Sequence, residues 1–161
     1  MLKITKFGGS SCASAEQFRK VRAIIESDPS RRFVVVSAAG RKTKKDNKIT
    51  DLLYLCSAHV DYHVDYHPVF EIIRARFLEI KAELGLSTPI EADLDALCEK
   101  LPDLSVDELV SRGEYFTARL MADFLGFSFV DATDVIAMEF DGSFNFEKTS
   151  ENLKAVLKEH D

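Results

Sequence analysis

The sequence predicts an α/β fold: a three-layer αβα arrangement on a mainly parallel sheet, with a helical excursion over about residues 50–101. Three observations carry this. Residues 2–7 and 33–36 read as strands on either side of an amphipathic helix pattern at 16–27, and a strand, a helix and a strand within about 37 residues form a βαβ unit. Phe33-Val34-Val35-Val36 is a continuous, mostly β-branched run, as expected of a strand covered on both faces. Phe70, Ile73, Phe77, Ile80 and Leu84 then alternate by three and four, a helical seam where the next strand could have stood.

The elements follow in order. Leu2, Ile4 and Phe7 make 2–7 a buried strand. Phe18, Val21, Ile24 and Ile25 share one face of helix 16–27, which Asp28-Pro29-Ser30 ends. Strand 33–36 leads into Ser37-Ala38-Ala39-Gly40 and then into a segment, 41–48, with five basic residues in eight. Helix 50–59 carries Leu52, Leu53, Leu55 and Cys56. Helix 68–84 is capped by Gly85, and helix 91–101 is closed by Pro102. Ser105-Val106-Asp107-Glu108 is a capping box opening a helix to about Leu125, with Phe116, Leu120 and Phe124 inward and Gly126 as its stop. Strands are expected at 127–130 and 135–140, the second turned by Asp141-Gly142 towards 144–146 as a hairpin. Ser150 is expected to cap a last helix over 151–159.

Composition narrows the function. The 161 residues can bury one domain core, and the net charge of −6 argues against general affinity for nucleic acid or anionic membranes. No apolar run approaches the roughly 20 residues of a membrane span, and the N-terminus lacks a signal-peptide layout. Cys12, Cys56 and Cys98 are three, far apart and without metal-type spacing, which reads as free thiols in a cytoplasmic setting.

Chemistry concentrates in three segments. Lys6-Phe7-Gly8-Gly9-Ser10-Ser11 places a lysine and two glycines between a strand and a helix. Glycines let backbone approach an anion, the helix start offers free N–H groups, and lysine adds a mobile charge. The spacing is neither that of the Walker loop nor that of GxGxxG. The plainer reading of Lys6 is a strand-end lysine in solvent. The second segment is Ser37-Ala38-Ala39-Gly40 with Thr50, small and hydroxyl residues beyond a strand, where open α/β sheets bind ligands. The third is Ser111-Arg112-Gly113-Glu114 inside a helix, where a glycine costs about 1 kcal/mol against alanine. Gly113 reads either as a close approach of backbone or ligand or as tight helix–sheet packing. Segment 41–48 reads either as a mobile solvated loop or as a holder of an anionic substrate.

These motifs together resemble the aspartate kinases of the amino-acid-kinase superfamily. The resemblance rests on Lys6 to Ser11, Val34-Val35-Val36-Ser37-Ala38, Ile49-Thr50-Asp51-Leu52-Leu53, Ser111 to Glu114 and Asp131-Ala132-Thr133-Asp134, in the family's order along nearly the whole chain. It implies transfer of the γ-phosphate of ATP to the β-carboxylate of L-aspartate, giving 4-phospho-L-aspartate on the way to lysine, threonine and methionine. Catalysis would then be positioning and charge stabilisation. By the family pattern Lys6 is the catalytic cation on the transferred phosphoryl group. Gly8, Gly9 and Ser10 bind phosphate, Ser37 and Thr50 hold aspartate, and Glu114 pairs with its α-ammonium. Magnesium arrives with ATP, with no metal site of the protein's own, and the parent enzyme is expected to be a homo-oligomer.

Two departures qualify the resemblance. The family's compact serine- and glycine-containing turn is replaced by the basic segment 41–48. The similarity covers only the amino-terminal part of the kinase domain. Residues 1–161 are therefore expected to be one partial domain, an amino-acid-kinase N-terminal lobe, with the nucleotide-binding half and the regulatory ACT domains absent, and inactive alone. Two competing readings stand: another amino-acid kinase, acting on glutamate, N-acetylglutamate or a nucleoside monophosphate, and a silent anion-binding or oligomerisation module.

Two further clusters carry chemistry-bearing side chains. His59, His63 and His67 are spaced by four and would line one face of a continuous helix, as a metal site needs, but Pro68 favours a junction between two helices. Cys12 reads as a small buried filler more readily than as a reactive thiol.

Overall fold

The computed structural model describes residues 1–159, which divide into two compact units, 1–126 and 127 onward. In the first, β1 (Lys3–Phe7) and β2 (Arg31–Val36) pair in parallel, with Ile4 opposite Phe33, Lys6 opposite Val35 and Phe7 opposite Val36. Between them a 3₁₀ turn (Gly9–Cys12) leads into α1 (Ala15–Glu26), completing the expected βαβ unit. Ser14 Oγ accepts from the Gln17 amide at the start of α1. Past its end, Asp28 accepts from the amide and hydroxyl of Ser30 and pairs with Lys3, and these bonds hold its carboxyl well below the usual range.

Phe7, Val34 and Val36 face the core, while Ile4 is 75% and Val35 50% exposed. The α/β class and the parallel pairing stand. The expectations that 2–7 is buried and that 33–36 is covered on both faces are corrected for the described residues: α1 and α5 (Val106–Leu125) pack against β2, and the face bearing Ile4, Lys6 and Val35 stays open. A two-stranded sheet carries only the covering layer that its own helices supply.

The helical excursion forms as expected, with ends shifted by a residue or two. It comprises α2 (Ile49–Asp61), α3 (His67–Leu84), α4 (Ile90–Lys100) and a 3₁₀ turn (Leu101–Asp103). The α3 seam is the spine of the core: Phe70, Ile73, Phe77 and Ile80 are each at most 1% exposed. Burying each is worth roughly 1.5–3 kcal/mol. The Phe77 ring lies 5.4 Å from that of Phe116 on α5. Gly85 (φ 64°) and Gly126 (φ 69°) end α3 and α5 in the left-handed region, and Ser105 and Glu108 form the complete capping box.

The second unit departs further from expectation. Residues 127–130 form no strand; Phe127 and Val130 stand exposed and no described neighbour offers a ladder. Val135 belongs to a short helix, α6 (Ala132–Val135), begun by Asp131, which accepts from the Thr133 amide. The hairpin survives as a single antiparallel bridge, Met138 to Phe144, around Gly142 (φ 82°). The last helix, α7 (Phe146–Glu159), starts five residues early because Asn145 Oδ1 accepts from the Lys148 amide at 2.7 Å. Ser150 therefore lies inside it. Thr149, buried on α7, accepts from the Ala137 amide at 2.9 Å and fixes the hairpin base to the helix.

Candidate functional site

The parallel strands bring their carboxyl ends to one edge, where the glycine loop and the 37–40 turn meet. The Ser37 amide donates to Phe7 carbonyl at 3.0 Å, one step beyond the ladder, and the Gly40 amide donates to Gly9 carbonyl at 2.8 Å. A Cβ on Gly9 would lie 2.8 Å from the Ala38 carbonyl oxygen, and one on Gly40 would lie 2.6 Å from the carbonyl carbon of Gly9. No side chain fits at either contact.

Gly8 differs. Its backbone is extended (φ −76°, ψ 171°), a conformation open to any residue, and a Cβ there would meet nothing within 4 Å. Neither conformation nor packing asks for glycine at this position. What a side chain would occupy is open space at the mouth of the loop, room for an approaching anion.

The second wall comes from the helices. The Ile49 amide donates to Ala39 carbonyl at 3.2 Å, which sets the first turn of α2, and so Thr50, beside the 37–40 turn. A Cβ on Gly113 would lie 2.9 Å from Ala38 Cβ and 3.3 Å from Ile49. Of the two readings of Gly113, close packing is the one realised, against the turn and α2 rather than the sheet itself. Glu114 follows on α5, exposed.

Of the sequence-predicted residues, Gly8, Gly9, Ser10, Ser37 and Thr50 thus lie on segments in direct backbone contact. Lys6 stands one residue before the end of β1, exposed, in register with half-exposed Val35. Glu114 is joined to the rest through Gly113. None of Lys6, Ser10, Ser37, Thr50 and Glu114 makes a side-chain hydrogen bond or ion pair with another described residue. Elsewhere charged side chains are widely paired, as in Arg74 with Glu71 and Asp95, Lys81 with Glu91 and Arg119 with Asp93. A cation, three hydroxyls and a carboxylate without a side-chain partner among the described residues thus lie on segments that these backbone contacts join.

Two residues were missed in the sequence. Thr117 is fully buried; its Oγ1 accepts from the Ala39 amide at 3.0 Å and donates to Gly113 carbonyl at 2.8 Å. Arg76, on α3, donates to Gly40 carbonyl at 2.9 Å. Each had a signal: a polar residue inside an apolar helical row.

The other clusters resolve as local structure. Burial pushes the Cys12 thiol up to about 11, against a weaker pull from a hydrogen bond with the Ser37 backbone, so it is the expected filler. The helix ends at Asp61 before the histidines can line a face. His59 Nδ1 meets the Asp65 carbonyl at 2.8 Å and His67 Nδ1 the Asp65 carboxylate at 2.7 Å, and no metal-competent cluster exists among the described residues. Segment 41–48 is largely exposed but anchored, by Arg41 to Asp51 and Lys42 to Glu79, and is tightened internally where the Asp46 carboxylate accepts from the Thr43 amide. None of the helices described is long and apolar enough to cross a membrane.

Known proteins match this arrangement. The chain is 36% identical over 138 residues to Aspartokinase 3 of Bacillus subtilis and 34% identical over 133 residues to the chloroplastic Aspartokinase 2 of Arabidopsis thaliana. These stretches cover 81% and 76% of this chain but only 30% and 24% of those relatives, so the chain spans under a third of their length. Among solved structures, Clostridium acetobutylicum aspartate kinase superposes with a TM-score of 0.90 at 42% identity, covering 95% of this chain and 36% of that one. E. coli aspartokinase III, solved in complex with aspartate and ADP, shares the fold with a TM-score of 0.78 at 22% identity, over 98% of this chain and 38% of that one. The model of the amino acid kinase family matches residues 1–160. The chain belongs to the amino acid kinase family.

Proposed function

We propose that these residues form the acceptor-binding and phosphate-facing part of an aspartate kinase. The observation that carries the reading is the set of polar side chains without a described partner on the segments that the Gly9–Gly40, Ala39–Ile49 and Ala38–Gly113 contacts join, in a chain 36–42% identical to proteins named aspartokinase or aspartate kinase. The aspartate and ADP held by the E. coli relative are the acceptor and spent donor that this reaction requires.

The chemistry asks little of the protein in proton transfer. The β-carboxylate of aspartate is already ionised near neutral pH, so no general base is needed. Its oxygen forms the new bond to the γ-phosphorus, the bond from that phosphorus to the bridging oxygen breaks, and ADP leaves with the electron pair. What remains is alignment of two anions and stabilisation of charge on the transferred group. In this reading the Lys6 ammonium offsets that charge. The amides at Gly8 and Gly9 and the Ser10 hydroxyl donate to the phosphate oxygens, where the space over Gly8 admits them. Ser37 and Thr50 hold the aspartate, and Glu114 accepts from its α-ammonium. Magnesium would be carried by the nucleotide phosphates.

In the same reading the chain is an N-terminal lobe whose nucleotide-binding half and regulatory domains lie beyond it, and alone it turns over no substrate. Its setting is cytoplasmic, its parent a homo-oligomer, and its acidic charge of −6 disfavours nucleic acid and anionic membrane. Titration calorimetry tests the substrate. Aspartate binding that Glu114→Ala abolishes, with glutamate and N-acetylated acids weaker, supports the proposal. Heat from phosphate alone, unchanged in Glu114→Ala, would make the chain an anion-binding module instead.

A further inference from the structure

We infer that Arg76 is a positioning residue for the acceptor side of this site: its guanidinium staples the two ends of segment 41–48, and so holds Ser37 and Thr50 in place. The inference rests on the aspartate kinase reading. Arg76 sits on α3 among Ile73, Phe77 and Ile80 and is only 9% exposed. Its Nη1 donates to Gly40 carbonyl at 2.9 Å, just before the segment. Its Nη2 donates to Asn47 carbonyl at a long 3.5 Å, near the segment's other end, and lies 4.0 Å from the Asp46 carboxylate.

The two carbonyls bracket the insertion. Ser37 lies three residues before Gly40, and Thr50 three residues after Asn47. Gly40 is also the residue whose amide reaches Gly9, so one guanidinium touches both the acceptor turn and the partner of the phosphate loop. The outer ties, Lys42 with Glu79 and Arg41 with Asp51, are exposed enough to be screened by solvent.

Packing does not ask for a charge here. A guanidinium taken from water costs several kcal/mol unless its donors are met, and an apolar side chain of similar volume often serves stability as well or better. A cation kept at a core-facing position, with its donors aimed at the two ends of one loop, is accounted for by the loop. A lysine offers a single nitrogen and cannot span both carbonyls, whereas the arginine fork can.

The experiment compares the 161-residue chain with its Arg76→Met and Arg76→Lys variants by amide hydrogen exchange, thermal unfolding and aspartate calorimetry. The Gly40 and Ile49 amides are the reporters, since they flank the segment and are bonded, Gly40 to the Gly9 carbonyl and Ile49 to that of Ala39 across the loop ends. In Arg76→Met they should exchange at least about tenfold faster while the α3 core amides keep their protection, and the aspartate Kd should rise about tenfold or more. Arg76→Lys should fall between, and it carries the test if the methionine variant does not fold. Unchanged reporters, or faster reporters with an unchanged Kd, would overturn the positioning role. If the unaltered chain binds no aspartate, the kinase reading fails by itself. The reporters then still decide the staple, and unchanged exchange overturns it too.

Discussion

The amide of Gly40 donates to the carbonyl of Gly9 across 2.8 Å; a Cβ on Gly40 would strike the Gly9 carbonyl, and one on Gly9 would strike the carbonyl oxygen of Ala38 in the same turn. This contact locks the loop after β1 to the turn after β2. Alanine at either position must push the two apart. Gly9→Ala and Gly40→Ala should each destabilise by about 1–3 kcal/mol, the usual cost of overpacking. Gly8→Ala meets only open space and should leave stability within about 0.5 kcal/mol. Urea unfolding of the three variants checks this. In the complete protein, on the proposed aspartate kinase reading, Gly8→Ala should instead weaken turnover, which separates a ligand-facing glycine from two structural ones.

Lys6 has no partner among the described residues, so removing it breaks nothing in the fold. If the complete protein is the aspartate kinase proposed above, Lys6→Ala is expected to lower kcat far more than it raises KM for aspartate. Steady-state kinetics decide this, and an equal loss in both would mean that Lys6 binds the ground state uniformly.

Thr117 satisfies two buried backbone groups at once, the Ala39 amide and the Gly113 carbonyl. Thr117→Val keeps the shape and leaves the Ala39 amide unmet. Stability should fall by about 1–3 kcal/mol, and aspartate affinity should fall with it because the acceptor turn loosens. Thermal unfolding and calorimetry on one preparation read both. Thr117→Ser should restore most of each.

Asp123 ties α5 to the loop before α4, accepting from the Thr88 hydroxyl and from the amides of Thr88 and Ser87, which lowers its pKa. A carboxyl depressed in the folded state adds stability above its unfolded pKa of about 3.9, and that stability is lost as pH falls through the folded value. Asp123→Asn keeps an acceptor but cannot titrate, so its acid unfolding below about pH 4 should be less steep than that of the unaltered chain.

Much of the fold was legible because it is written in local patterns. The α3 seam, the capping box at Ser105 and the glycine stops at Gly85 and Gly126 each depend on neighbours within a turn or two. The glycine loop was legible for the same reason: strand, two glycines and a helix start are consecutive. What failed depends on distant partners. Residues 127–130 have strand composition but no neighbouring ladder among the described residues, and β-propensity without a partner does not make a strand. The start of α7 was misread because Asn145 and Ser150 are both acceptable caps, and Asn145 sits at the base of the hairpin that Thr149 ties down.

The sequence by itself determined the βαβ unit, the helical excursion, the loop chemistry at Lys6 to Ser10 and the candidate residues Ser37, Thr50 and Glu114. Only the tertiary structure decided how these are held together. It separated Gly8, which faces open space, from Gly9, Gly40 and Gly113, which are packing positions, and it revealed Thr117 and Arg76 as the groups that hold the 37–40 turn. The physical reason is separation along the chain. Arg76 lies 36 residues from Gly40, and Thr117 lies 78 from Ala39. A hydrogen bond between groups so far apart leaves no periodic trace in the sequence, only a polar residue in an apolar row whose partner the fold alone supplies.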